Sequence, residues 1–227
     1  MFLEKLAFQN ISDFKEIMKI FKKNNSKSWV NCPNRLFKSY INIKLNIGEK
    51  DKLTMNVSGG KWNLASNTIH YLDLFHFLTS CKKIKIINSD LNNQIFKSKR
   101  EKFIELGGSI TFISEKGDKL NVLDSMRDDS PVKVNINSSK ESITINENEE
   151  TAEYIDLETN SVKEKNNFEL TKQSSLTTKI ASDIILNGNC GLLKIDDSFI
   201  IHKILLDFFL LRIKLITKKE YSSCPIT

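Results

Sequence analysis

Glycine is scarce, eight residues in a chain of 227, and its positions (48, 59, 60, 107, 108, 117, 188 and 191) cannot be read as GxGxxG. That pattern lets backbone amides close on a pyrophosphate at a helix N-terminus, so this sequence holds no phosphate-cradling loop of that kind. Cysteine is limited to Cys32, Cys81, Cys190 and Cys224, with no CxxC or CxH pair. This spacing argues against structural zinc and fits free thiols in a reducing cytosol. No long apolar run exists either. The richest segment, Phe199–Ile216, is broken by His202, Lys203, Asp207, Arg212 and Lys214, too charged to span a bilayer and better suited to a buried helix. The opening MFLEKLAF meets charge before an apolar region develops, unlike a signal peptide. The expectation is a soluble, cytoplasmic protein.

What is present suffices for a sizeable core: 40% hydrophobic residues, fourteen of them phenylalanine. The net charge of +6 is unevenly spread, with residues 1–100 basic and 101–200 acidic. The bases are scattered and aromatics are not interleaved among them as stacking platforms, so the pattern reads as solvated surface rather than a nucleic-acid footprint. A positive N-terminal half would also suit a phosphate-bearing cofactor or a nucleotide-linked substrate.

Met1–Leu6 reads as a short strand ending in Glu4-Lys5. Asn10 then caps a helix running to about Asn24, with Lys22 and Lys23 at the end that favours cations. Ser28–Cys32 is a second strand stopped by Pro33, which completes a strand–helix–strand crossover with parallel neighbours. Leu36–Ile47 reads as a helix and Leu53–Val57 as a strand leading into Gly59-Gly60, a pair that permits a sharp turn or close approach to a ligand. After Lys61-Trp62-Asn63, an amphipathic helix is predicted from just past Ser66 and Asn67. Ile69, Leu72, Phe75 and Leu78 lie at helical spacing, widened by Tyr71 and Leu74, with His70 in the first turn. There the helix dipole would favour a neutral imidazole.

Residues 82–172 change character. Short candidate strands are Lys83–Ile87, Phe103–Leu106, Ile110–Ser114, Leu120–Asp124, Val132–Asn137, Ser142–Asn146 and Ala152–Asp156, separated by turn residues. The expected fold class is α/β (α+β), a mostly antiparallel open sheet of about six strands with helices on one face. Helices over Ser174–Leu186, ended by Gly188, and over Ser198–Ile216 close the chain. Asn146–Glu150 reads as a small acidic turn without a role of its own.

The stretch SGGKWNLASNTIHYLDL, Ser58 to Leu74, resembles the segment of the Gfo/Idh/MocA oxidoreductases that carries their catalytic histidine, with His70 and Asp73 at the last two motif positions. Phe2-Leu3-Glu4-Lys5 is similar to the family's strand-end EKP motif, and Trp29–Arg35 to the next strand and the arginine that opens the second domain. The resemblance implies a remnant of a dinucleotide-binding Rossmann domain over 1–33 and a substrate and oligomerisation domain over 34–227. It also implies hydride transfer between NAD or NADP and a sugar or nucleotide-sugar hydroxyl, as in surface-polysaccharide biosynthesis. By the same resemblance His70 would be the acid/base and Lys5 would hydrogen-bond the reacting hydroxyl. Glu4 and Lys5 would meet the cofactor, and Arg35, Lys61, Trp62, Asn63 and Asp73 would line the substrate side. Subunits would pair through the open sheet into a homo-oligomer.

Two positions depart from the family. Ser66 replaces its aspartate four residues before the histidine, and Leu6 replaces its proline. Activity would need a missing or separate N-terminal Rossmann half, and the chain alone is expected to be inactive. A non-catalytic oligomerisation or binding module derived from such an enzyme is the alternative. No metal is expected: His70, Asp73 and His76 are spaced i, i+3, i+6 and do not converge on one point. His202, on the apolar last helix, reads as a satisfied core or boundary histidine.

Overall fold

The computed structural model describes residues 1–47, 51–170 and 173–227. Gly48 and the end of the 82–172 stretch, Thr171 and Lys172, lie outside the described residues. Strand β1 (Phe2–Glu4) is joined by helix α1 (Ile11–Lys23) to β2 (Trp29–Asn31), and the two strands pair in parallel, Leu3 opposite Val30. The Asn10 side chain accepts from the Asp13 amide, capping α1 as its sequence predicts; such a cap contributes about 1 kcal/mol. The opposite edge of β2 is closed by the segment before the last helix, since the Val30 amide donates to the Leu193 carbonyl and the Ile195 amide to that of Ser28.

The predicted helix over Leu36–Ile47 is divided. Pro33–Leu36 forms a 3-10 turn, Phe37 is extended at φ −69 and ψ 129, and helix α2 runs only over Lys38–Asn46. Strand β3 (Thr54–Gly59) leads into helix α3 (Leu64–Thr79), followed by β4 (Ile84–Leu91), the short pair β5 (Phe96–Lys97) and β6 (Ile104–Glu105), and β7 (Gly108–Ser114). Next come β8 (Lys119–Asp124), β9 (Lys133–Asn137), β10 (Glu141–Asn146), β11 (Thr151–Asp156) and β12 (Ser161–Asn167). Helices α4 (Gln173–Asn187) and α5 (Ile195–Thr217) complete the order, with Gly188 at φ +64 ending α4 in the left-handed conformation that glycine accepts most readily.

The main sheet has eight strands rather than about six, in the order β12-β11-β10-β9-β3-β8-β7-β4, and every pairing but β3–β8 is antiparallel. Its strands alternate as period-2 chemistry requires. Met55, Val57, Ile110, Phe112, Leu120, Val122, Val134, Ile136, Ile143 and Ile145 are buried, while the residues between them face outward. Strand β12, SVKEKNN, carries no such alternation; it is an edge strand exposed at each position described there, so nothing in its pattern announces a strand.

Helix α3 differs from its expected amphipathic form. It begins at Leu64, and Leu64, Ala65, Ser66, Thr68, Ile69, Tyr71, Leu72, Asp73, Leu74, Phe75 and Leu78 are all buried, so its apolar surface runs almost all round. It lies inside the molecule between the sheet, α2 and α5, as a helix apolar on every side must. The glycine pair before it serves the fold. Neither glycine has positive φ, and a Cβ on Gly60 would stand 2.1 Å from the Asp128 carbonyl oxygen, so residue 60 must be glycine for two loops to pass. The left-handed turn falls instead at Lys61 (φ 50) and Asn63 (φ 64).

Candidate active site

A cleft of about 640 Å³ opens where the end of β1, the Pro33–Leu36 turn, the start of α3, the β5–β6 hairpin and the last residue of the chain meet. Glu4, Lys5, Pro33, Asn34, Asn63, Ser66, Asn67, His70, Arg100, Glu105 and Thr227 are among the residues that line it. Its size is in the range of small-molecule sites.

Lys5 leaves β1 and reaches across to the first turn of α3. Its Nζ donates to the Ser66 carbonyl at 2.8 Å and to Asn67 Oδ1 at 3.0 Å, while Asn67 Nδ2 donates to the Trp62 carbonyl at 2.7 Å. Burial pulls the Lys5 pKa below its usual 10.5, and the neighbouring Cys32 and Glu105 act in the opposite direction. Glu4 accepts from Asn31 Nδ2 at 2.9 Å, which ties the two parallel strands together at the cleft.

His70 is the seventh residue of α3 rather than a first-turn residue, so the helix dipole is not what acts on it. Burial lowers its pKa to about 3, with smaller contributions from the charges of Lys5 and His202, and the imidazole is neutral at physiological pH. Its Nδ1 is buried without a hydrogen-bond partner among the described residues, while the side chain lines the cleft.

The amides that open α3 are taken by Glu105, a residue the sequence reading did not single out. Its Oε2 accepts from Ala65 N at 3.1 Å and Ser66 N at 3.3 Å, and its Oε1 accepts from the Ser66 hydroxyl. The carboxylate is 1% exposed. Burial raises its pKa, and the bonds from Ser66 and Ala65 and the charge of Lys5 hold the rise back. The only local signal was a lone acid in the apolar run Phe103-Ile104-Glu105-Leu106.

Glu4, Lys5, Asn63 and His70 thus share the cleft, whereas the other expected site residues are placed elsewhere. Arg35 and Asp73 are not on its lining. Arg35 Nε donates to Asp73 Oδ2 at 2.7 Å, with side chains 8% and 1% exposed, and a second guanidinium nitrogen donates to the Asp73 carbonyl at 3.2 Å. Burial pushes the Asp73 pKa up to about 6 against the pull of the guanidinium. Lys61 is exposed and faces Asp129 at 3.3 Å. Trp62 is packed edge-on against Tyr71, its Nε1 donating to the Leu123 carbonyl at 2.8 Å.

His202 is buried, its Nδ1 2.9 Å from the Ser198 carbonyl while its Nε2 accepts from the Ala7 amide at 3.3 Å, a satisfied core histidine with the proton on Nδ1. Among the described residues no three His, Cys, Asp or Glu groups cluster as metal ligands, and no helix is long and apolar enough to cross a membrane.

No family model and no curated protein matches the chain in sequence. Solved structures do match in fold. The dehydrogenase MviM from Clostridium difficile superposes with a TM-score of 0.66 at 16% identity, over 96% of this chain and 71% of its own. The UDP-N-acetylglucosamine 3-dehydrogenase GnnA from Acidithiobacillus ferrooxidans gives 0.64 at 11% identity, over 91% and 68%. A super-repressor mutant of Gal80p from Saccharomyces cerevisiae gives 0.64 at 11% identity, over 93% and 70%. The chain therefore shares the fold of these proteins, over about 70% of their length.

Proposed function

We propose that this chain is the substrate-side part of a nicotinamide-dependent dehydrogenase acting on a sugar or nucleotide-sugar hydroxyl in the cytoplasm. The observation that carries the reading is the convergence of Lys5 and His70, 65 positions apart in sequence, on one cleft of a fold shared with two dehydrogenases. The residues present suit the reacting end of such a pair: an orphaned imidazole nitrogen lies beside a cleft that has an ammonium group on its wall. A nicotinamide, when bound, would supply the hydride acceptor. Lys5 would donate a hydrogen bond to the reacting oxygen and offset charge developing on it. His70, neutral at physiological pH, would accept the hydroxyl proton as the carbinol becomes a carbonyl.

With no GxGxxG in the sequence, the cofactor's phosphates would be gripped by a Rossmann half outside this sequence, and these 227 residues by themselves would bind NAD or NADP weakly. Calorimetry on the chain is expected to show no micromolar affinity for either. Co-expressed with a Rossmann half and offered sugar nucleotides, it should produce NAD(P)H absorbance at a rate that H70A lowers by about 10²–10⁴-fold. Turnover unchanged in H70A would overturn the assignment.

We also infer pairing of copies through the open sheet face. One register row there runs Asn88–Thr111–Asn121–Asn56–Asn135–Thr144–Glu153–Lys165 across all eight strands, largely of short polar side chains. A monomeric mass by light scattering would refute it. The second reading, a binding module without turnover, draws on the Gal80p likeness and on an imidazole whose low pKa makes it a weak base. It predicts no turnover in the co-expression assay.

A further inference from the structure

Glu105 is a buried acid that the proposed chemistry does not use, and it has come from a distant strand to the turn of α3 that holds Lys5. Three donors fix it there: the Ala65 amide at 3.1 Å, the Ser66 amide at 3.3 Å and the Ser66 hydroxyl. On the other side of the same residue, the Ser66 carbonyl accepts from Lys5 Nζ at 2.8 Å. Ser66 is therefore a relay point, its amide and hydroxyl held by the carboxylate and its carbonyl holding the ammonium. The Asn63 side chain gives α3 no cap bond, so the helix start depends on Glu105 for the acceptor that an N-cap residue usually supplies. Placing an acid on the helix start from another element also puts negative charge within reach of Lys5.

We propose that Glu105 is a positioning residue of the cleft, a carboxylate that clamps the first turn of α3 through Ser66 and holds Lys5 in its charged form against the wall that carries His70. This deepens the dehydrogenase reading, on which its catalytic meaning rests, but the device itself can be tested without turnover. The charged and titratable groups around Lys5 are Cys32 from the end of β2, Glu4 from its own strand, Arg100 from the β5–β6 hairpin, His70 from α3 and Glu105. Cys32 favours the Lys5 charge only as a thiolate, and burial pushes that thiol well above its usual range, so it is neutral at pH 8 and its influence falls at higher pH. Arg100 opposes the Lys5 charge, Glu4, which accepts from Asn31, supports it less than Glu105 does, and His70 is uncharged at that pH. Glu105 is left as the acid docked on the residue that receives Lys5.

The experiment measures the rate at which an amine-reactive reagent labels Lys5 at pH 8, followed by peptide mass spectrometry, beside thermal unfolding of the same variants. E105Q keeps a side chain of the same shape and removes the charge. Lys5 should then label about three- to tenfold faster, since losing an adjacent opposite charge lowers an ammonium pKa by of order one unit. S66A breaks the hydroxyl bond and keeps the charge, so it should lower the melting temperature and leave the Lys5 rate unchanged. E105D should also label at the wild-type rate. E105Q losing stability as S66A does, with Lys5 labelled at the wild-type rate, would overturn the proposal and leave Glu105 as a helix cap only. Should E105Q fail to fold, the reciprocal variant K5M serves. Its Glu105 carboxyl, followed by carbon NMR, should titrate at higher pH than in the wild type, and an unchanged titration would overturn the proposal equally.

Discussion

Replacing Asp73 by asparagine tests whether Arg35 belongs to the interior or to a binding site. The two side chains meet at 2.7 Å with 8% and 1% exposure, and the guanidinium also donates to the Asp73 carbonyl. Its face lies over the Phe77 ring, 5.4 Å from the centroid. D73N leaves that guanidinium buried with no charge to answer it, and breaking a buried pair on one side costs about 3–5 kcal/mol. Against a total stability of about 5–15 kcal/mol, this is a large fraction. For a chain of this size each kcal/mol moves the midpoint by about 2–4 °C, so D73N should melt about 6–20 °C below the wild type. The same loss should appear in urea as a lower midpoint with unchanged slope.

The double variant R35M/D73L removes both charges and refills the space, and it should recover most of the loss, because apolar replacements of buried pairs are commonly neutral or better. The difference between the double variant and the sum of the singles measures the coupling. A loss below about 1 kcal/mol in D73N would refute the reasoning. So would an R35M variant that keeps its melting temperature, since a residue kept for a ligand can be removed without loosening the core.

Three further outcomes are expected. Glu147 receives the hydroxyls of two buried tyrosines, Tyr40 at 3.1 Å and Tyr71 at 2.9 Å, so E147A strands two donors and should lower the urea-derived stability by about 2–6 kcal/mol, at about 1–3 each; E147Q, which keeps an acceptor, should lose less. Burial lowers the His202 pKa to about 4 from 6.5, so the unfolded chain binds its proton first. The stability due to the neutral ring is complete above pH 6.5 and is lost as pH falls through about 4, up to about 3 kcal/mol; H202Q should reduce the pH dependence of unfolding in that window and leave the part due to His70. All four cysteines are buried and unpaired, and burial raises each thiol, Cys224 to about 12. Ellman's reagent should therefore react with none in the native chain and with four in denaturant.

What could be read in advance follows from whether the cause is local. Helix α1 was legible because its cap, Asn10, and its basic end lie within its own stretch. The core strands were legible because a half-buried strand must alternate, and strand β12 was not, because an edge exposed on both faces has nothing to alternate. The start of α3 was set too late for a related reason. Leu64 and Ala65 look like loop until an acceptor for their end of the helix is known, and that acceptor arrives from Glu105, 40 residues beyond Ala65.

Arg35 and Asp73, 38 residues apart, read as two polar residues in a suspected binding region. Only the fold makes each the neutraliser of the other, and once paired they have little left to offer a ligand. Lys5 presents the converse case. Its hydrogen bonds to Ser66 and Asn67 are long-range too, yet its motif at a strand end and that of His70 pointed to a common cleft before any contact was known. A replaced acid at Ser66 looked like a deficit when read along the chain. In three dimensions the hydroxyl of that serine donates to a carboxylate from another strand, so an acid reached only through the fold stands beside the position where the chain itself has none.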